Sequence, residues 1–222
     1  MMEFIRAERT QELENALRNA LDSELSQNKL VLWLVPGGSN IDVAVRVMAK
    51  VNLIDMSRLT IALTDERFGP TGHKDSNYYQ LMQKGFNQRG AVFIDLLKGE
   101  TLVDTVQKSG MAMEKIFTYA DSVIGFFGIG EDGHIAGILP GSPASVPDQT
   151  WMIGYDAGQF QRMTLTPFAL SHVQTAYVGA FGSEKRTALQ TLHDTIVPIN
   201  EQPAQLLRHI PESHIYTNQL GD

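Results

Sequence analysis

The sequence predicts an α/β protein: a parallel sheet with helices on both faces. Three observations carry this expectation. Short runs are apolar at every position, glycine-rich or polar turns follow them directly, and stretches of helical apolar periodicity lie between. A strand without polar alternation is buried on both faces, and strand–helix alternation is the pattern that a parallel sheet needs.

Taken in order, Leu13, Ala16, Leu17, Ala20, Leu21 and Leu25 recur at helical spacing after Thr10, which is read as the N-cap. Residues 30–35 form the first buried strand, 36–40 a tight turn and 41–50 a helix. Residues 59–63 are the next strand, followed by a polar loop and a helix starting near Ser76. A shorter extended piece is expected at 91–96. Leu102, Val106, Met113, Ile116 and Phe117 suit a helix running to Tyr119. Strands follow at 123–129 and 175–181, the second leading into a helix over 183–192. Near residues 150–166 the pattern is more β-like and reads as a small antiparallel addition. No internal repeat, low-complexity tract or linker divides the chain, so residues 1–222 are expected to form one domain.

Composition narrows the classes. A hydrophobic share of 43% and a charged share of 19% are those of a globular protein. The formal net charge of -7 and the lack of any Lys/Arg-rich run argue against nucleic acid as partner. An anionic ligand then needs a local pocket of positive potential, because the global field repels it. The absence of cysteine removes thiolate catalysis and disulfides and suits a reducing cytoplasm. Apolar runs of about six residues fall short of the roughly 20 needed to span a bilayer. The residues 1–6 do not resemble a signal peptide, and a cytoplasmic location without membrane partners is expected. The six histidines are scattered, without metal-ligand spacing, so no metal and no cofactor is expected.

Four polar clusters follow predicted strands, and a parallel sheet would gather them along its carboxyl edge, where ligands bind. Gly37, Gly38 and Ser39 can bring backbone amides and a hydroxyl to an anion, or form an ordinary turn capped by Ser39 or Asn40. Asp65, Glu66 and Arg67 offer a base, an acceptor and a phosphate fork, or else a solvated loop with a surface ion pair. That loop continues through His73, Asp75, Ser76, Asn77 and Tyr78, where Asp75 or Ser76 can cap the next helix. The third cluster is the sharpest: Gly128, Gly130, Asp132, Gly133 and His134. Three glycines within six residues are costly unless the backbone needs positive φ or close approach. A histidine is the side chain suited to general base work near neutral pH, so His134 is read as a base oriented by Asp132; the plainer alternative is a helix-start histidine capping its own backbone. In the fourth cluster, Lys185 in a first helical turn opposes the helix dipole unless an anion lies nearby. Arg162 is a further, weaker candidate for an anion contact.

Together these blocks resemble the 6-phosphogluconolactonase and glucosamine-6-phosphate deaminase superfamily. The likeness rests on Gly-Gly-Ser at 37–39, Asp-Glu-Arg at 65–67, and His73 with Asp75-Ser76-Asn77-Tyr78. The remaining blocks are Gly-x-Gly-x-Asp-Gly-His at 128–134 and Gly-x-x-Lys at 182–185, so that roughly residues 30–195 are covered. The resemblance implies a parallel Rossmann-like sheet and a site for a phosphorylated sugar. It separates two branches. Lactonases carry Asp-Glu-Arg, as at Asp65-Glu66-Arg67, whereas deaminases place a glutamate where this chain has Leu139 before Pro140. A leucine cannot relay a proton, so the lactonase branch is implied.

On that reading the substrate is a phosphorylated sugar lactone and the reaction its hydrolysis. His134, Asp132 and Asp65 carry the chemistry. Gly37, Gly38, Ser39, Arg67, His73, Arg162 and Lys185 bind substrate and phosphate. A monomer and a small homo-oligomer are both compatible with the sequence. The alternatives are a sugar-phosphate isomerase or deaminase using Asp65 as base, and a non-catalytic sugar-phosphate sensor. The chain departs from the lactonase pattern at Asn40, Ile41, Ile135 and Gly137, beside the expected phosphate and catalytic positions.

Overall fold

The computed structural model describes residues 1–52, 55–97 and 101–220. Its strands are β1 (Met2–Arg6), β2 (Val31–Val35), β3 (Leu59–Leu63), β4 (Asp65–Arg67), β5 (Val92–Ile94), β6 (Ser122–Gly128), β7 (Met152–Asp156), β8 (Gln161–Leu165), β9 (Thr175–Gly179) and β10 (Glu212–Thr217). The helices are α1 (Gln11–Ser26), α2 (Ile41–Lys50), α3 (Asn77–Gln83), α4 (Leu102–Tyr119), α5 (Pro167–Leu170) and α6 (Arg186–Asp194).

Seven strands form one sheet in the order β1-β10-β9-β6-β2-β3-β5, and every neighbouring pair is parallel. β2 is buried at all five positions and β6 at all but its last, so both faces of the sheet centre are covered. Trp33, Phe126 and Phe127 are the largest fully buried side chains there. Helix α1 lays Leu13, Leu17, Leu21 and Leu25 into this core. Its periodicity therefore reports burial against a sheet, the usual source of helix stability in a domain.

The β-like stretch forms a second sheet, antiparallel and ordered β4-β8-β7. Residues 65–67, expected as a polar loop, are its third strand: Asp65, Glu66 and Arg67 pair with Thr164, Met163 and Arg162. Long-range pairing thus overrides the local preference of three charged residues for a loop.

Two further strands were not expected. β1 is the edge strand and has no buried position, and β10 beside it carries Glu212, Ser213, His214 and Thr217 among its six residues, so neither shows the continuous apolar signature. Thr10 does occupy the N-cap of α1, but its hydroxyl donates to Glu14 Oε1 at 2.9 Å instead of accepting from the helix. Glu14 is buried and also accepts from Arg46 and Lys50 on α2, which hold its carboxyl below the usual range against the opposing effect of burial. No helix follows β6 directly: residues 129–142 are turns and isolated bridges, so His134 does not open a helix.

The chain runs from β2 outward through β3 to β5, then returns to place β6 on the other side of β2. That reversal opens a crevice beyond the carboxyl ends of β2 and β6, the place where open α/β sheets bind ligands. The two sharpest sequence clusters leave from those two strand ends.

Candidate active site

A cleft of about 260 Å³ sits at this reversal. From the turn after β2 it takes Gly37, Gly38 and Ser39; from β4 and β8, Asp65, Arg67 and Arg162; from the turn after β6, Gly130 and His134; and from the start of α6, Lys185. Residues spread from 37 to 185 therefore share one wall.

The turn after β6 is built around a ring. His134 Nδ1 lies 2.6 Å from Asp132 Oδ1, and the same oxygen accepts from the His134 backbone N–H at 3.1 Å. This pairing holds the Asp132 carboxyl below its ordinary value, chiefly through the imidazole hydrogen bond. Gly130 lies under the pair, and a Cβ there would overlap the His134 Nδ1 and Cε1 positions. Gly133 adopts a φ of 82°, and Gly130 N–H donates to the His134 carbonyl at 2.9 Å to close the turn. With Nδ1–H engaged by Asp132, Nε2 is the nitrogen left to take or give a proton.

The cations come from three elements. Arg67 and Arg162 stand opposite each other on β4 and β8. Arg67 Nη1 donates to the Asp75 carbonyl at 3.1 Å, and its guanidinium lies 5.0 Å from the Phe160 ring centroid. Arg162 Nη1 is 3.7 Å from Asp65 Oδ2. The Nε atoms of both arginines are buried without an acceptor among the described residues. Lys185 closes the turn that opens α6 and has no side-chain partner there either. Three guanidinium or ammonium groups at one cleft, against one carboxylate, supply the local positive potential that a chain of net charge -7 needs for an anion.

Asp65 and Glu66 have opposite surroundings. Asp65 edges into the cleft and accepts from Thr64 Oγ1 at 3.1 Å. Glu66 is fully buried and accepts from the backbone N–H of Arg67, Asn77 and Tyr78 and from Ser76 Oγ, at 2.6 to 3.0 Å. Burial raises its pKa and these four donors partly offset the rise. Glu66 thereby pins the start of α3, which Ser76 caps by accepting from Tyr79 N–H. His73 is not brought to the cleft. Its Nε2 bonds the Arg67 carbonyl at 2.9 Å, so the ring organises the loop behind Arg67.

Several residues without an assigned part in the sequence reading prove central. Asn77 lines the cleft, packs on Gly37 and donates to the Asp65 carbonyl at 2.9 Å. Asn40 is buried; its Nδ2 donates to the Gly179 carbonyl at 2.9 Å and the Phe127 carbonyl at 3.4 Å. It ties the ends of β6 and β9 instead of capping α2. Gly128 and Gly179 leave it room, since a Cβ on either would come within 2.8 Å of its amide. The signal was an amide at a strand-to-helix turn beside two glycines, which local caps also produce. Ala136 lines the cleft at a φ of 53°, where a side chain costs roughly 1–3 kcal/mol.

Fold and cleft together define an α/β protein with a cation-lined cleft at the carboxyl edge of a parallel sheet. The chain belongs to the family of glucosamine-6-phosphate isomerases and 6-phosphogluconolactonases, which it matches over residues 6–216. It is 26% identical to the 6-phosphogluconolactonase of Borreliella burgdorferi over 232 aligned residues, covering 100% of this chain and 97% of that protein. It is 28% identical to that of Xylella fastidiosa, over 82% of this chain and 79% of the relative. Its fold matches the solved 6-phosphogluconolactonase of Shewanella baltica with a TM-score of 0.80 at 19% identity, over 98% of both chains. The Trypanosoma brucei enzyme follows at 0.76 and 21%, over 99% and 97%. No helix among the described residues is long and apolar enough to cross a membrane, and no group of three potential metal ligands occurs among them.

Proposed function

We propose that this chain, as a single catalytic domain, hydrolyses 6-phospho-D-glucono-1,5-lactone to 6-phosphogluconate. One observation carries the reading: His134, paired with Asp132, and the cations Arg67, Arg162 and Lys185 face a common cleft. The relatives named for this activity support it. So does Leu139, which packs against the core and leaves the cleft without the glutamate of the deaminase branch.

In this mechanism the phosphate is held by Arg67, Arg162, Lys185, Ser39 and the amides of Gly37 and Gly38. Anchoring the far end of the sugar converts the reaction at the lactone carbonyl into a positioned, effectively unimolecular step. Nε2 of His134 removes a proton from water as the water oxygen bonds to the carbonyl carbon. The oxyanion then collapses, the ring C–O bond breaks, and His134 returns the proton to the departing oxygen. Asp132 stabilises the imidazolium between these transfers, and Asp65 accepts a hydrogen bond from a sugar hydroxyl. General acid–base catalysis of this kind supplies about 10²–10⁴-fold.

The test follows acid release from freshly prepared lactone with the wild type and His134→Ala. The proposal expects the wild type to exceed the spontaneous rate and the variant to lose that excess by about 10²–10⁴-fold. A wild-type rate equal to the spontaneous one, or ammonia released from glucosamine 6-phosphate instead, overturns it.

A further inference from the structure

The turn that presents His134 runs on through Ile135, Ala136 and Gly137, two of which depart from the lactonase pattern. Ile135 is fully buried and bridges Ile129 and Ile138, which fixes one end of the segment. Gly137 is fixed at the other. Its N–H donates to Thr164 Oγ1 at 3.0 Å, and its carbonyl accepts from the Tyr155 hydroxyl at 2.7 Å. A Cβ at residue 137 would lie 2.9 Å from both Asp65 Cβ and Thr164 Cβ, so the backbone there is pressed against the small sheet. Between the two anchors, Ala136 takes a φ of 53° and lines the cleft. The other two non-glycine residues at positive φ among the described residues, Asn28 and Arg89, lie away from it.

Alanine has no side-chain polar group to stabilise a left-handed backbone, so the conformation persists only because its surroundings enforce it. We infer that Thr164 and Tyr155 are positioning residues: by clamping both polar groups of Gly137 they hold Ala136 left-handed and thereby hold His134 toward the cleft. Without the clamp Ala136 relaxes to negative φ, and the backbone joined to His134 shifts with it. Burial pushes the Tyr155 phenol upward, so it stays protonated and donates. The inference rests on the proposed hydrolysis for its kinetic readout, but the clamp itself is a property of the unliganded chain.

The experiment compares the wild type with Thr164→Val, Thr164→Ser and Tyr155→Phe, and repeats Thr164→Val in an Ala136→Gly background. Displacement of a catalytic group by about 1 Å can cost as much as 10²-fold, so Thr164→Val is expected to lower kcat by about ten-fold or more. KM should change by less than about two-fold, because the phosphate anchors are separate side chains. Thr164→Ser keeps the acceptor and should stay near the wild type. In the Ala136→Gly background the same Val substitution should cost no more than about two-fold, because glycine adopts positive φ unaided. Amide hydrogen exchange at Gly137, measured without substrate, should accelerate in Thr164→Val and Tyr155→Phe. An unchanged kcat in Thr164→Val, or an equal loss in both backgrounds, overturns the inference; so does unaltered exchange at Gly137. A wild type without lactone hydrolysis sinks the functional reading instead, and the exchange arm still decides the clamp.

Discussion

Arg67 on β4 and Arg162 on β8 are direct cross-strand partners, and each buries an Nε that meets no acceptor among the described residues. Like charges directly opposite destabilise an antiparallel pair, and a buried unsatisfied donor costs about 1–3 kcal/mol. Asp65 answers only one of the two, at 3.7 Å from Arg162. The arrangement is therefore incomplete as a structural device, and on the proposed function a dianion would complete it.

A first prediction follows. Inorganic phosphate should raise the Tm of the wild type in proportion to RT ln(1 + [L]/Kd), about 2.7 kcal/mol at a hundred times Kd. Arg67→Met and Arg162→Met should each abolish most of that rise and increase KM for the lactone by about 10–100-fold, as expected for a lost charge-assisted contact of ~1.5–3 kcal/mol. Thermal scans with and without phosphate decide it. An undiminished shift in both variants would remove the arginines from the anion site.

Gly130 gives a second prediction, because the ring of His134 occupies the space that a side chain would take. In Gly130→Ala the imidazole must leave Asp132 or the turn must open. The loss should fall mainly on kcat, by about 10²-fold on the scale of general base catalysis, with KM little changed. Steady-state kinetics separate the two parameters. A Gly130→Ala enzyme with normal kcat would show that the His134–Asp132 pairing is not needed for turnover.

The third prediction concerns pH. Asp132 has its folded pKa below the ordinary 3.8, first through the hydrogen bond from His134 and then through the backbone bond. A depressed carboxylate contributes stability that is full above the unfolded value and is lost as pH falls through the folded one. The stability difference between wild type and Asp132→Asn should therefore shrink as pH falls from about 5 through the folded Asp132 value below 3.8. Denaturant titrations across that range test it. Because about half of the Asp132 side chain is exposed, the difference should be small.

Much of this architecture is legible in the chain because burial writes a pattern. β2 is apolar throughout, and β3 and β6 carry only Thr60 and Ser122 as polar residues, because both faces of the sheet centre are covered; α1 and α4 show their buried stripe. The four clusters could be read as one edge because a parallel sheet sends the loops from its strand ends the same way. β4 was not legible, since three charged residues become a strand only through pairing with β8 about a hundred residues on. Asn40 and His73 show the same limit at the site. An asparagine at a helix start and a histidine in a loop look alike whether they touch ligand, cap a helix or tie strands together. Only the three-dimensional neighbours (Gly179 and Phe127 for Asn40, the Arg67 carbonyl for His73) distinguish these roles.

Glu66 carries the fourth prediction. Four donors converge on its two carboxylate oxygens in full burial. Glutamine has the same shape but turns one oxygen into an NH₂ group, which must face a donor such as the Tyr78 N–H. At least one buried donor then lacks an acceptor, a loss of about 1–3 kcal/mol. The start of α3 should loosen with it, and with it Asn77, which packs on Gly37 and holds the Asp65 carbonyl. Glu66→Gln should therefore lower the urea midpoint and raise KM together. A destabilised variant with unaltered KM would separate this carboxylate from the cleft.

Asn40 supplies the last. At this position the chain uses an amide long enough to reach the carbonyls of Gly179 and Phe127, and Gly128 and Gly179 leave the space it occupies. Asn40→Ala leaves two buried carbonyls without their donor and a gap between β6 and β9. The expected cost is about 1–3 kcal/mol, visible as a shifted denaturant midpoint at unchanged m-value. Asn40→Thr should not restore it, since a threonine hydroxyl is too short to bridge both strand ends from this position. Filling the gap takes a larger neighbour: Gly179→Ala, which is expected to clash with the native asparagine, should be tolerated better in the Asn40→Ala background. A double-mutant cycle gives the coupling directly, and strict additivity of the two substitutions would show that Asn40 and Gly179 do not share the space assigned to them.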